Sequence, residues 1–317
     1  MKFLNFLRAI TALLLGCALL LFWYSAEKKG PTVIPVDTET ESDVSEEAVP
    51  NTEELLNDIT ALENNPLEEA NSRVYEYLQI CPAENPKASY LAYNLITGEN
   101  YSYNIDTRIT MASVIKSAYC LYVTELIVSG EADFEEKLTY TADDKRNGTG
   151  IIKDNPYGTE YSVKELITLS ITESDNVAHK MLVDRFGRAQ FNSYLDNFSI
   201  ESMHLYSGGQ VEYYNNSSAR DLAKIFTLIY QKSQEEESFA WYLDILTQSK
   251  YNRFASSTEF KIAHKSGFMK GAFHDAAIVL ADEPYILIVL TNGNITENEE
   301  LFLQELSQII CNKMESK

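Results

Sequence analysis

Ser113 and Lys116 stand three residues apart at the start of an apolar stretch that runs from Val114 to Ile127. That spacing has chemical content on a helix, where residues i and i+3 share a face one turn apart; on a strand the two side chains would point to opposite faces. Val114, Ile115, Ala118, Leu121, Val123 and Leu126 make the stretch apolar nearly all round, so the helix is expected to be buried. A lysine amine taken out of water there loses its preference for the charged form and becomes a base. A serine one turn earlier is a hydroxyl it can deprotonate, and at a helix N-terminus developing negative charge is favoured. Together these are a nucleophile and its base.

Alone the pair is a weak signal, since S-x-x-K arises about once by chance in a chain of ordinary composition. Ser25 and Lys28 are a second instance, beside an apolar N-terminal run. Two further motifs change the odds: Ser174-Asp175-Asn176 after a helical stretch, and Lys265-Ser266-Gly267 at the end of a strand. Acyl transfer from an amide needs a nucleophile, a proton acceptor, a proton donor for the leaving nitrogen and a cation for an anionic substrate, and the set supplies each. Taken one at a time they are a surface lysine, a helix cap and a turn.

In this order the three motifs resemble those of the class A β-lactamases and penicillin-recognising serine enzymes, and the resemblance extends over residues 66–317. It implies that Ser113 attacks a carbonyl and is acylated, that Lys116 takes its proton directly or through water, and that Ser174 passes a proton to the leaving nitrogen. Asn176 would bind the substrate's side-chain amide and help hold Lys116. Lys265 would keep the site electropositive and, with Ser266, hold the substrate carboxylate. The substrate would lie along Ser266, Gly267 and Phe268, with the backbone N–H groups of Ser113 and Phe268 as the oxyanion hole. The implied substrates are β-lactams or peptidoglycan-derived D-amino-acid amides, with no cofactor and no metal. A D-alanyl-D-alanine peptidase and a non-catalytic wall-binding domain are the alternatives on the same fold.

Two departures stand out. The interval from Ser174 to Lys265 is shorter than the family's, and the deficit falls in the loop that carries the acid activating the deacylating water. Glu212, with Asn216 four residues on, is the candidate for that acid, or else a solvated residue near a turn, the commoner lot of an isolated glutamate. Slow deacylation is then expected. Phe268-Met269 is bulky where the family has small residues.

The elements that must position these groups follow from periodicity. Ala88–Ile105 is expected to be a strand hairpin turning at Thr97-Gly98-Glu99-Asn100, and strands return at Phe260–His264, Ala276–Leu280 and Tyr285–Thr291. Between them lie helices at Val114–Val128, Val163–Ser170, Val177–Phe186, Ala219–Tyr230 and Trp241–Leu246, and a last helix spans Glu299–Lys313. The expected class is α+β: a five-stranded antiparallel sheet built from both chain ends, with an all-helical part inserted and a cleft where the two meet.

Of the 317 residues, 47 are acidic and 26 basic, a net charge of -21 that excludes a nucleic-acid partner. Lys2 and Arg8 precede an apolar run from Ala9 to Tyr24, so residues 1–29 are expected to be an uncleaved membrane anchor with the rest outside the cytoplasm. A lipoprotein box at Leu14-Leu15-Gly16-Cys17 and a cleaved signal peptide stay open. Residues 30–65 are expected to be an acidic spacer, with short amphipathic helices around Leu55–Leu62 and from Leu67 to Ile80, and residues 66–317 a monomeric hydrolase domain. Cys81 and Cys311 are the one pair that could be bridged, though their expected places in the fold make a bridge awkward. His179, His204, His264 and His274 form no zinc motif; His264 and His274 are expected to face each other across adjoining strands.

Overall fold

The computed structural model describes residues 51–205 and 216–316. The expected anchor, the spacer up to residue 50, Cys17 and Glu212 lie outside the described residues. Among the described residues no helix is long and apolar enough to cross a membrane.

Strands β1 (Ala88–Asn94) and β2 (Asn100–Tyr103) form the expected hairpin, and β7 (Lys261–Met269), β8 (Ala272–Leu280) and β9 (Tyr285–Thr291) return near the end of the chain. The sheet order is β2-β1-β9-β8-β7, antiparallel throughout. β9 pairs with β1 from Ala88↔Thr291 to Asn94↔Tyr285, which joins the two ends of the domain in one sheet. Alternate residues face opposite sides, and both sides are covered. Tyr90, Ala92, Leu287 and Val289 pack with α2 (Glu68–Ile80) and α9 (Glu297–Glu315). Leu91, Tyr93, Ile286 and Ile288 pack toward the helical part. That part contains α3 (Ile115–Val128), α4 (Val163–Thr172), α5 (Asn176–Phe186), α6 (Arg188–Asp196), α7 (Ala219–Glu235) and α8 (Glu237–Leu246). In α3 every residue from Ile115 to Thr124 is buried, as apolarity all round requires.

Two expectations are corrected, and several short elements appear for which the sequence held no expectation. Lys265-Ser266-Gly267 lies within β7 rather than at its end: Gly267 pairs with His274, and the chain turns at Gly271, whose φ is 80°. α6 had no strong periodicity, with only Phe191 and Leu195 buried. The short pairs β3 (Ile109–Thr110) with β6 (Asn216–Ser217), and β4 (Lys137–Thr139) with β5 (Glu160–Ser162), are too brief to show a period. The folded unit also starts before residue 66, because α1 (Thr52–Ala61) buries Leu55 and Ile59. The Arg220 guanidinium donates to the carbonyls of Ile59, Thr60 and Leu62 at 2.6, 3.0 and 2.8 Å, satisfying the end of that helix. Cys81, Cys120 and Cys311 are free thiols, so Cys81 and Cys311 are not bridged.

Because Ile59 is fully buried, Ile59→Ala should lower stability by about 2–5 kcal/mol in a denaturant titration. A residue of a solvated spacer would leave the midpoint where it was.

Candidate active site

Ser113 sits in a tight turn, Ala112–Val114, that leads into α3 and is closed by Val114 N–H donating to the Met111 carbonyl at 3.1 Å. Ala112 has φ 46°, a left-handed conformation that is unfavourable for a residue with a Cβ. Lys116 is in the first turn of α3 and 2% exposed. Its Nζ donates to the Ser174 carbonyl at 2.6 Å and to Asn176 Oδ1 at 2.7 Å, with Ser174 Oγ at 3.3 Å. The two short bonds account for both hydrogens of a neutral amine, and the longer contact is to a hydroxyl that can donate to its lone pair. Burial and the charge of Lys265 hold the Lys116 amine well below the ordinary lysine value, against the opposing pull of Asp175.

Lys265 reaches the same hydroxyl from β7. Its fully buried Nζ donates to Ser174 Oγ at 3.2 Å and to the Ser266 carbonyl at 3.2 Å. Burial lowers its pKa to about 8, with Asp275 pulling the other way, so Lys265 is largely charged at neutral pH, while the amine of Lys116 is held well below its ordinary value. The Ser266 hydroxyl is buried without a hydrogen-bond partner.

Ser174 lies between α4 and α5 with φ 51°, and Asp175 fixes it there. One Asp175 oxygen caps α5, accepting from Val177 and Ala178 N–H at 2.8 and 3.0 Å. The other accepts from Ile151 and Ile152 N–H at 2.6 and 2.9 Å and draws the 147–152 loop onto the motif. Gly150, at φ 110°, allows that approach, since a Cβ there would overlap Asp175. The Asn176 amide is engaged at both ends, Oδ1 by Lys116 and Nδ2 by the Asn147 carbonyl at 2.8 Å.

Ser113, Lys116, Asn176 and Phe268 line one pocket, together with Ile115, Arg146, His179 and Met269. Ser174, Lys265 and Ser266 stand behind it, joined to it through Lys116 and Phe268. Phe268 is held by an edge-on contact with Tyr251 at 5.4 Å and by the Arg253 guanidinium 5.7 Å from its ring. Sequence reasoning missed Arg146 and His179 as pocket residues. His179 is one helical turn past Asn176, a spacing that could have been noticed; burial of its ring lowers its pKa to about 3, and it packs edge-on to Tyr119 at 5.3 Å. Arg146 carries no such mark.

His264 and His274 do not face each other: His264 pairs with Ala277 and His274 with Gly267. His264 Nδ1 lies 3.0 Å from both Asp275 oxygens and its Nε2 is 3.1 Å from the Ser249 carbonyl. Among the described residues no group of three His, Cys, Asp or Glu side chains could hold a metal. Glu212 is outside the described residues; Asn216 pairs with Thr110 and accepts from its hydroxyl at 3.0 Å.

A family model described as the beta-lactamase enzyme family matches residues 73–314. Beta-lactamase 3 of Bacillus cereus is 25% identical over 249 residues, covering 72% of this chain and 77% of that protein. A mutant of PBP-A, solved as an acyl-enzyme complex with penicillin G, is similar with a TM-score of 0.72 at 22% identity, over 81% of this chain and 100% of that one. An ancestral class A β-lactamase is similar at TM-score 0.69 and 18% identity, over 77% and 99%. These structural likenesses are likenesses of fold.

Asp175→Ala leaves four backbone N–H groups without their acceptor. It should cost about 2–4 kcal/mol in a denaturant titration, more than removal of an ordinary helix cap.

Proposed function

Because the chain belongs to the beta-lactamase enzyme family, we propose that it is an extracytoplasmic serine hydrolase whose Ser113 is acylated by β-lactams or related cell-wall D-amino-acid amides. The observation that carries this reading is the Ser174 hydroxyl shared by two buried lysines, 3.3 Å from Lys116 Nζ and 3.2 Å from Lys265 Nζ.

In the first step the Ser113 hydroxyl gives its proton to the Lys116 amine and its oxygen bonds to the substrate carbonyl carbon. The negative charge that moves to the carbonyl oxygen is taken up by the backbone N–H groups of Ser113 and Phe268. The carbon–nitrogen bond then breaks, and the nitrogen takes a proton from Ser174, which Lys116 replaces. Lys265 and the unpartnered Ser266 hydroxyl hold the substrate carboxylate. Water completes hydrolysis by adding to the acyl carbon and releasing Ser113, with Glu212 as the base where the shortened loop permits. A D-alanyl-D-alanine peptidase or penicillin-binding enzyme is the second reading, favoured by the short interval between Ser174 and Lys265 and by the likeness to PBP-A. The apolar run after Lys2 and Arg8 supports a tethered domain outside the cytoplasm.

Incubation of the purified full chain with a fluorescent penicillin should give a covalent label, and Ser113→Ala should reduce its rate at least about a thousandfold. No label, with no hydrolysis of β-lactams or D-alanyl peptides, would leave the wall-binding domain. Label decay that is unchanged in Glu212→Gln would remove Glu212 from deacylation.

Lys265 loses its charge as the pH rises through its lowered value of about 8, so the labelling rate should fall above that pH. A rate that stays level to the ordinary lysine range would contradict the carboxylate-holding role.

A further inference from the structure

The turn that carries Ser113 is held through one carbonyl. Met111 O accepts from Val114 N–H at 3.1 Å, which closes the turn, and lies 2.8 Å from His274 Nε2. A carbonyl only accepts, so Nε2 carries the hydrogen. The ring is 1% exposed, and burial lowers its pKa against the opposing pull of the Met111 and Thr291 carbonyls; Nδ1 lies 3.4 Å from the Thr291 carbonyl on β9. Thr291 in turn donates its hydroxyl to the Phe273 carbonyl at 2.7 Å, tying β9 to the strand that carries His274.

Opposite His274 in the β7–β8 register is Gly267. A Cβ there would run into the Met111 carbonyl oxygen and come within 2.9 Å of His274 Nε2. The absent side chain on one strand and the imidazole on the next therefore form a slot that the carbonyl fills. Ala112, the residue after that carbonyl, holds the unfavourable φ of 46°, and Ser113 follows directly.

We infer that His274 is a positioning residue for the nucleophile: by holding the Met111 carbonyl in the gap at Gly267, it sets where Ser113 stands relative to Lys116 and the Lys265 strand. This rests on Ser113 being the acylated residue. His274 reaches the reaction only through the Met111 carbonyl, so a small displacement of the turn is what its loss would produce.

The test compares the full-length parent with His274→Gln, His274→Leu and His274→Asn for the rate at which a fluorescent penicillin labels Ser113, at a temperature where melting curves show each to be folded. Gln can place an amide N–H where Nε2 stood and should label within about threefold of the parent. Leu fills the space without a donor and should label at least about tenfold more slowly, and Asn, whose shorter amide reaches only toward Thr291, should be slow as well. Asn keeps the comparison available if Leu does not fold. Parent-like rates in Leu or Asn overturn the inference, as do rates in Gln as low as theirs. A parent that takes no penicillin label puts the proposed function in doubt instead, and the same proteins are then compared with a fluorophosphonate, which reports any activated serine. There the same ranking supports the role of His274, equal rates overturn it, and an unreactive parent overturns both.

Discussion

Two lysine amines that meet at one hydroxyl, out of contact with water, set the terms for the rest of this molecule. At the distance from one side of Ser174 Oγ to the other, both cannot hold a charge cheaply in a medium of low dielectric. The protein resolves the conflict unevenly: burial and the neighbouring charge of Lys265 hold Lys116 well below the ordinary lysine value, while Lys265 has Asp275 to support its charge. In the proposed mechanism one amine is thereby the base and the other the cation. The net charge of -21 belongs to the molecule as a whole; the site is a small electropositive interior within it.

Such an arrangement needs a scaffold that brings three chain segments together without slack. The sheet supplies Lys265 from the edge strand β7, the buried helix α3 supplies Lys116, and the junction of α4 and α5 supplies Ser174 and Asn176. Backbone positions that are unfavourable in isolation lie at these junctions: Ala112, directly before Ser113, and Ser174 both have positive φ. Asp175, with four backbone donors, and Gly150, which admits the neighbouring loop, hold the second of them.

Much of this was legible in the residues. An apolar surface on all sides of Val114–Ile127 specifies burial, and with it a desolvated Lys116; the almost unbroken apolar run Tyr285–Thr291 specifies a strand covered on both faces, which pairs along its length with β1. What was not legible depends on contacts between distant segments. Gly267 reads locally as a breaker, but its lack of a side chain serves the approach of the Met111 carbonyl, so β7 runs on through it. The acid-rich stretch of α1 reads as spacer because its stability comes from Leu55 and Ile59 against the core and from Arg220, far along the chain, on its last carbonyls. His179 and Arg146 join the pocket from a helix and a loop whose packing no local pattern encodes.

The uncharged state of Lys116 is the claim most open to direct measurement. Lysine labelled with carbon-13 at Cε, with the Lys116 signal assigned by its loss in Lys116→Arg, can be followed by NMR as the pH is raised. The account predicts a titration midpoint for Lys116 well below the 10.5 of an ordinary lysine. A Lys116 signal that titrates at or above the ordinary value would contradict it.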